Sequence, residues 1–334
     1  MQDKHYSAGV LKELVWLGGV LGSFAKAEEA MQRIGHLAVS DSSIWRRKEE
    51  WGARFQGVEE EVREKANTLS RASSFRERVL GSGKRMGVSM DGTKVHIRDE
   101  GWKELKVGCS FEIEVRPTWD KETGEWEDLA HAVNNQYLAY LGGPEIFGQM
   151  MWAAAQQRGW ERAVDRQVIG DGAPWIWNLA QEYFYDGQQV VDWYHPTEHL
   201  ADIAKGIHGD GTPAAKRWCK VMEKLLYQGH AQQIANELRE LALTHPGLAA
   251  DLEREAGYFE TNKRRMQYLE FREDGLVIGS GMVESGCKQY KARFCGPGMR
   301  WSRDGIERLI PIRSAVMSGC FDSMWEAAYN SPRN

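Results

Sequence analysis

Gln167-Val168-Ile169-Gly170-Asp171-Gly172-Ala173-Pro174 is the stretch that decides the fold. Its apolar run is short, of the buried-strand kind, and it ends on an acid and a glycine. Pro174 then suits the first turn of a helix running to about Tyr185. Downstream, Gln189–Tyr194 reads as another buried strand, followed by a helix over Thr197–Lys205. Strand, helix, strand, helix in that order implies parallel pairing. Upstream the period is two: Met86, Val88 and Met90 alternate with Gly87, Ser89 and Asp91, and Val95 and Ile97 continue the alternation. Leu105, Val107, Cys109, Phe111, Ile113 and Val115 form the apolar face of a long second strand. A third strand is expected over Trp126–Val133 after the Thr123-Gly124 turn, and a helix over about Glu145–Arg158.

The expected fold class is therefore α/β: a mixed sheet of three antiparallel strands extended by parallel ones, in an order that resembles the ribonuclease H-like arrangement. Residues 1–80 form a helical N-terminal region and residues 84–205 the first part of the core. Residues 206–274 form an all-helical insertion, with Leu225, Leu226, Ile234, Leu238, Leu241, Leu252 and Leu269 as its core. Residues 275–334 carry the last core helix and a basic C-terminal segment. Within the N-terminal region, residues 24–52 read as helix-turn-helix-like, for DNA binding or dimerisation. Gly35 ends the first helix, and Ser40-Asp41-Ser42-Ser43 caps a second that exposes Arg46 and Arg47. An ordinary helical hairpin used for packing fits the same pattern.

The chain has 334 residues, 42% hydrophobic and 27% charged, which excludes disorder and supports a sizeable core. No apolar run approaches the ~18 residues of a membrane span, and Met1-Gln2-Asp3-Lys4 does not open a signal peptide. Five scattered cysteines without a Cys-x-x-Cys pair point to reduced thiols and a cytoplasmic location. A net charge of −5 argues against a simple nucleic-acid-binding module. The charge is uneven, however: Lys288, Lys291, Arg293, Arg300, Arg303, Arg308 and Arg313 face only Glu284, Asp304 and Glu307 in residues 284–313.

Asp91 and Asp171 each sit where an apolar run meets a glycine. An Asp-Gly step is ordinarily a turn signal; two of them at the ends of neighbouring central strands form a metal-binding pair. Glu284, in Gly279-Ser280-Gly281-Met282-Val283-Glu284-Ser285, supplies a third carboxylate, with Lys288 and Lys291 on the same helical face for phosphates. A structural Glu284–Lys288 ion pair is the plainer alternative. His195 ends Asp192-Trp193-Tyr194-His195, beside the strand that delivers Asp171, where it can donate to a scissile phosphate. His199 is four residues on, a zinc spacing without the usual accompanying ligands. In Arg293–Ser302, Arg293, Arg300 and Trp301 offer charge and a stacking surface to a DNA end, with a core role as the alternative for the tryptophan.

Met90-Asp91-Gly92, Gly170-Asp171-Gly172-Ala173-Pro174-Trp175-Ile176, Asp192-x-x-His195 and Gly279-Ser280-Gly281-x-Val283-Glu284-Ser285 together resemble the DDE transposases of bacterial insertion sequences. The likeness is to the Mutator-related group with a C/D-x-x-H string, over residues 8–318. The resemblance implies a ribonuclease H-like core and two magnesium or manganese ions held by Asp91, Asp171 and Glu284. It also implies His195 near the scissile phosphate, DNA cleavage and strand transfer, and a homodimer or higher multimer acting on transposon ends and target DNA. Members of the group usually carry further N-terminal sequence with a cysteine-bearing DNA-binding element. Here the chain starts close to its helical region, so end recognition is expected to rest on residues 8–80, or the chain is a shortened form. A nuclease without strand transfer and a non-catalytic DNA-binding protein are the alternatives.

Overall fold

The computed structural model describes residues 6–68, 83–119 and 124–331. Three helices come first: α1 (Ala8–Val20), α2 (Phe24–Arg33) and α3 (Asp41–Thr68). The strands β1 (Arg85–Ile97), β2 (Gly101–Trp119) and β3 (Trp126–Tyr140) follow. Next come α4 (Pro144–Gln157), β4 (Asp165–Gly170), α5 (Pro174–Tyr183), β5 (Gln188–Val191) and α6 (Tyr194–His208). The insertion comprises α7 (Pro213–Tyr227), α8 (Ala231–Thr244), α9 (Ala249–Asn262) and α10 (Tyr268–Glu273). The chain closes with α11 (Gly281–Phe294), α12 (Arg303–Glu307), α13 (Ile310–Met317) and α14 (Phe321–Asn330).

The fold is α/β, built on a five-stranded mixed sheet of order β3-β2-β1-β4-β5. β1, β2 and β3 pair antiparallel, and β4 and β5 add parallel to β1. Met86, Val88, Met90, Val107, Cys109, Phe111, Val168 and Ile169 are fully buried, because helices cover both faces of the centre. That two-sided burial explains why β2 reads less cleanly than a one-faced strand: residues 105–111 are buried without alternation, while Val115, past the helices, is exposed.

The strands differ from expectation at their ends: β3 runs to Tyr140 rather than Val133, and β5 stops at Val191 rather than Tyr194. β1 does not end at Asp91-Gly92. It runs on to Ile97, because Thr93, Val95 and Ile97 keep their inward alternation and β2 continues to pair with it, Asp91 opposite Val107 and Gly92 opposite Lys106. What ends near Asp91 is the parallel neighbour: β4 stops at Gly170.

The N-terminal helices pack partly in their own cluster of Leu14, Ala27, Met31, Val39 and Ile44. Gly35 follows α2 as expected, but the link to α3 is seven residues long, 34–40, and His36 rather than Gly35 takes a positive φ of 51° in it. Ser40 caps α3 as expected, its Oγ accepting from Ser43 N at 3.3 Å. Arg46 is exposed; Arg47 is half-buried, 3.4 Å from Glu50. Beyond Thr68 the expected helical region, like Thr123 of the β2–β3 turn, lies outside the described residues.

Two residues assigned to DNA are part of the interior. Arg293 is 2% exposed and donates through Nε and Nη2 to the Gly18 carbonyl, at 3.1 and 2.9 Å. Trp301 is 9% exposed and donates its indole N–H to Phe294 O at 2.9 Å. Lys48, also buried, lies over the rings of Phe24 and Trp301 and donates to Gly305 O. The physical reason is packing. α11 buries the stripe Val283, Cys287, Tyr290 and Phe294, Arg293 falls on its edge, and both cations stack on aromatic faces where α1–α3 meet the C-terminal segment. In the insertion, Tyr268 and Phe271 take the core place expected for Leu269, which is exposed.

Candidate active site

The parallel register aligns three acids. Ser89 pairs with Ile169, so two residues on Asp91 stands level with Asp171. Gly170 pairs with Val191, so Asp171 stands level with Asp192. The row lies at the carboxyl edge of the parallel strands, where open α/β sheets present ligands. Glu284 arrives from the first turn of α11, which crosses the sheet face closely. A Cβ on Gly286 would come within 2.9 Å of the Tyr137 ring and 3.4 Å of Val107. Asp91, Asp171, Asp192, His195, Glu198, Ser280 and Glu284 line one cleft of about 300 Å³.

Each acid is held separately. Asp91 Oδ1 accepts from Gly92 N at 2.6 Å, and its Oδ2 receives the Cys287 thiol at 3.3 Å. Asp171 Oδ1 accepts from Ala173 N at 2.9 Å, closing a turn in which Gly172 has φ 105°. Glu284 accepts from Ser280 Oγ at 3.1 Å and lies 3.7 Å from Lys288 Nζ, so the ion pair exists on a residue that also lines the cleft. Lys288, Lys291 and Arg300 are exposed.

Asp192 is the residue whose role the sequence reading missed. It is 4% exposed; Oδ1 accepts from Ser280 N at 2.7 Å and Oδ2 from His195 N at 3.1 Å. Trp193 N also donates to Ile278 O at 2.9 Å. One buried carboxylate thus ties the end of β5 to both the loop that launches Glu284 and the turn that launches His195. The available signal was an Asx-type cap: an acid three residues before a helical N–H.

Electrostatically the cleft is overcharged. Burial raises the Asp91 carboxyl above its ordinary value, with a further push from Asp171 and Glu284. Burial does the same to Asp192, with Glu284 adding to it. A folded-state pKa above the unfolded one stabilises the fold below the unfolded pKa, and that contribution is lost as pH rises through the folded value. The ionised acids therefore weigh on the metal-free protein at neutral pH. Asp91→Asn is expected to raise the neutral-pH melting temperature of the metal-free chain, at ~2 °C per kcal/mol relieved, with the gain vanishing near the unfolded pKa of ~3.9. Differential scanning calorimetry at both pH values checks this; a variant that melts lower at neutral pH contradicts it.

The donor set suits a hard divalent cation: anionic oxygens, partly desolvated, without a buried lysine between them. Among the described residues no group of three or more His, Cys, Asp or Glu side chains is drawn together tightly enough to hold an ion. Magnesium does not require one, since it keeps several waters and commonly takes one or two carboxylates plus substrate phosphates. No protein-family model matches the sequence, and no curated protein matches it.

Proposed function

We propose that this chain is a DNA transposase of the DDE type on a ribonuclease H-like core, cleaving DNA and joining the ends to a target. The observation that carries the reading is the register that levels Asp91 with Asp171 on adjacent strands, together with Glu284 lining the same cleft. In this reading Asp91, Asp171 and Glu284 hold two magnesium or manganese ions. Bound there, the ions supply Lewis acidity to the attacking and leaving oxygens of an in-line displacement.

The protein's own groups do the rest. Asp192 fixes the two loops that carry Glu284 and His195. His195 binds a non-bridging oxygen of the scissile phosphate. Lys288, Lys291 and Arg300, exposed along and beyond α11, neutralise neighbouring phosphates. Arg46 on α3 extends that contact toward the DNA end, and a homodimer or higher multimer brings two ends to one target.

The test is incubation of the chain with linear DNA bearing the sequences that flank its gene, with magnesium and a target plasmid. Joined product is expected, and none without the metal. Nicked product without joining favours a nuclease, and binding with neither cleavage nor metal dependence favours a DNA-binding protein.

A further inference from the structure

The helical insertion comes up behind the cleft lining with two side chains, Glu255 and Tyr258, one turn apart on α9. Glu255 Oε2 accepts from His199 Nδ1. The Tyr258 ring lies flat on the His199 ring, centroids 4.6 Å and planes 9° apart, and its hydroxyl donates to the Asp171 carbonyl at 3.3 Å. Gly172 leaves the room for that approach: a Cβ there would lie 2.9 Å from the tyrosine ring. On its other side, His199 Nε2 stands 3.2 Å from His195 Nε2, and His195 lines the carboxylate cleft.

The donors and acceptors along this chain determine the tautomers. A carboxylate only accepts, so His199 carries a proton at Nδ1. A phosphate oxygen also only accepts, so the contact read for His195 needs the proton at its Nδ1. Its Nε2 is then the acceptor of the hydrogen bond between the two rings, and His199 donates at both nitrogens, to His195 and to the Glu255 carboxylate. His195 thus presents Nδ1–H to substrate, and the tyrosine stack fixes the plane of the ring behind it.

We propose that Glu255 and Tyr258 are positioning residues: through His199 they set the tautomer and plane of His195, so that the insertion completes a site otherwise built on the sheet and α11. The inference rests on the reading of His195 as a contact to the scissile phosphate. It carries its own readout, the protonation pattern of the two rings.

The experiment is long-range proton–nitrogen correlation on histidine-labelled protein, assigned with His195→Asn, alongside cleavage kinetics. Wild type bound to DNA is expected to show His199 protonated at both ring nitrogens and His195 at Nδ1. Glu255→Leu is expected to lose that pattern and to lower kcat by ~10–100-fold with KM for DNA unchanged. Glu255→Gln keeps an acceptor oxygen without the charge and is expected to fall between wild type and Glu255→Leu in both. A wild-type His195 protonated at Nε2 instead of Nδ1, a pattern that survives Glu255→Leu, or a change confined to KM overturns the proposal. The expected ring pattern in a chain that cleaves no DNA overturns the functional reading and leaves the positioning role supported.

Discussion

Asp91→Ala and Asp171→Ala are each expected to lower magnesium-dependent DNA cleavage by at least ~10³-fold while leaving DNA binding in calcium within a few-fold of wild type. The size follows from the chemistry assigned to the pair: charge stabilisation of several kcal/mol by shared metal ions, at 1.36 kcal/mol per tenfold in rate. The two residues are level on adjacent parallel strands, so removing either opens the same side of the cleft. The folds of the variants are expected to persist. Among the described residues Asp91 accepts from Gly92 N and the Cys287 thiol, and the ionised carboxylate is an electrostatic burden in the metal-free protein. Gel-based cleavage and fluorescence anisotropy on the same preparations measure the two effects. Loss of binding in parallel with activity contradicts the assignment.

The second large effect is at Asp192, and it couples stability to activity. Asp192→Ala strips acceptors from Ser280 N, which is buried, and from His195 N. Hydrogen bonds to a charged group contribute about 1.5–3 kcal/mol each, so a loss of ~3–5 kcal/mol is expected. With Ser280 released, Glu284 loses the hydroxyl that orients it, and cleavage is expected to fall by ~10²-fold, in line with outer-shell partners elsewhere. Asp192→Asn separates the two contributions. It keeps one acceptor and relieves a carboxyl whose pKa burial has already raised, so it costs less stability than alanine but still misdirects one loop. Urea unfolding checks the first ordering and single-turnover cleavage the second. Wild-type unfolding in Asp192→Ala contradicts the role given to this residue.

Much of the fold was legible because its elements have unlike periods. The alternation through Met86–Met90, the short run Val168–Gly170 and Pro174 on a helix's first turn each point one way, and the structure has strands, strand and helix there. The end of β1 was misread because Asp-Gly is a turn signal in isolation. Pairing with β2 overrides it, since Val107 and Lys106 hold Asp91 and Gly92 in register. The face of α11 was legible for Glu284 and Lys288. The stripe Val283, Cys287, Tyr290 and Phe294, equally visible, also marked the buried side to which Arg293 belongs. Charge along α11 was the weaker cue there. Glu255 and Tyr258 carried no local signal at all: their approach to His199 depends on how α9 docks, 56 residues further along the chain for Glu255.

The most direct measurement of the central claim is anomalous diffraction from crystals of the protein soaked in manganese. The account predicts ion density bounded by the carboxylates of Asp91 and Asp171, with a second peak toward Glu284 when DNA is bound, and neither peak in Asp91→Ala. Manganese elsewhere on the surface, with an empty cleft in the DNA complex, would contradict the account.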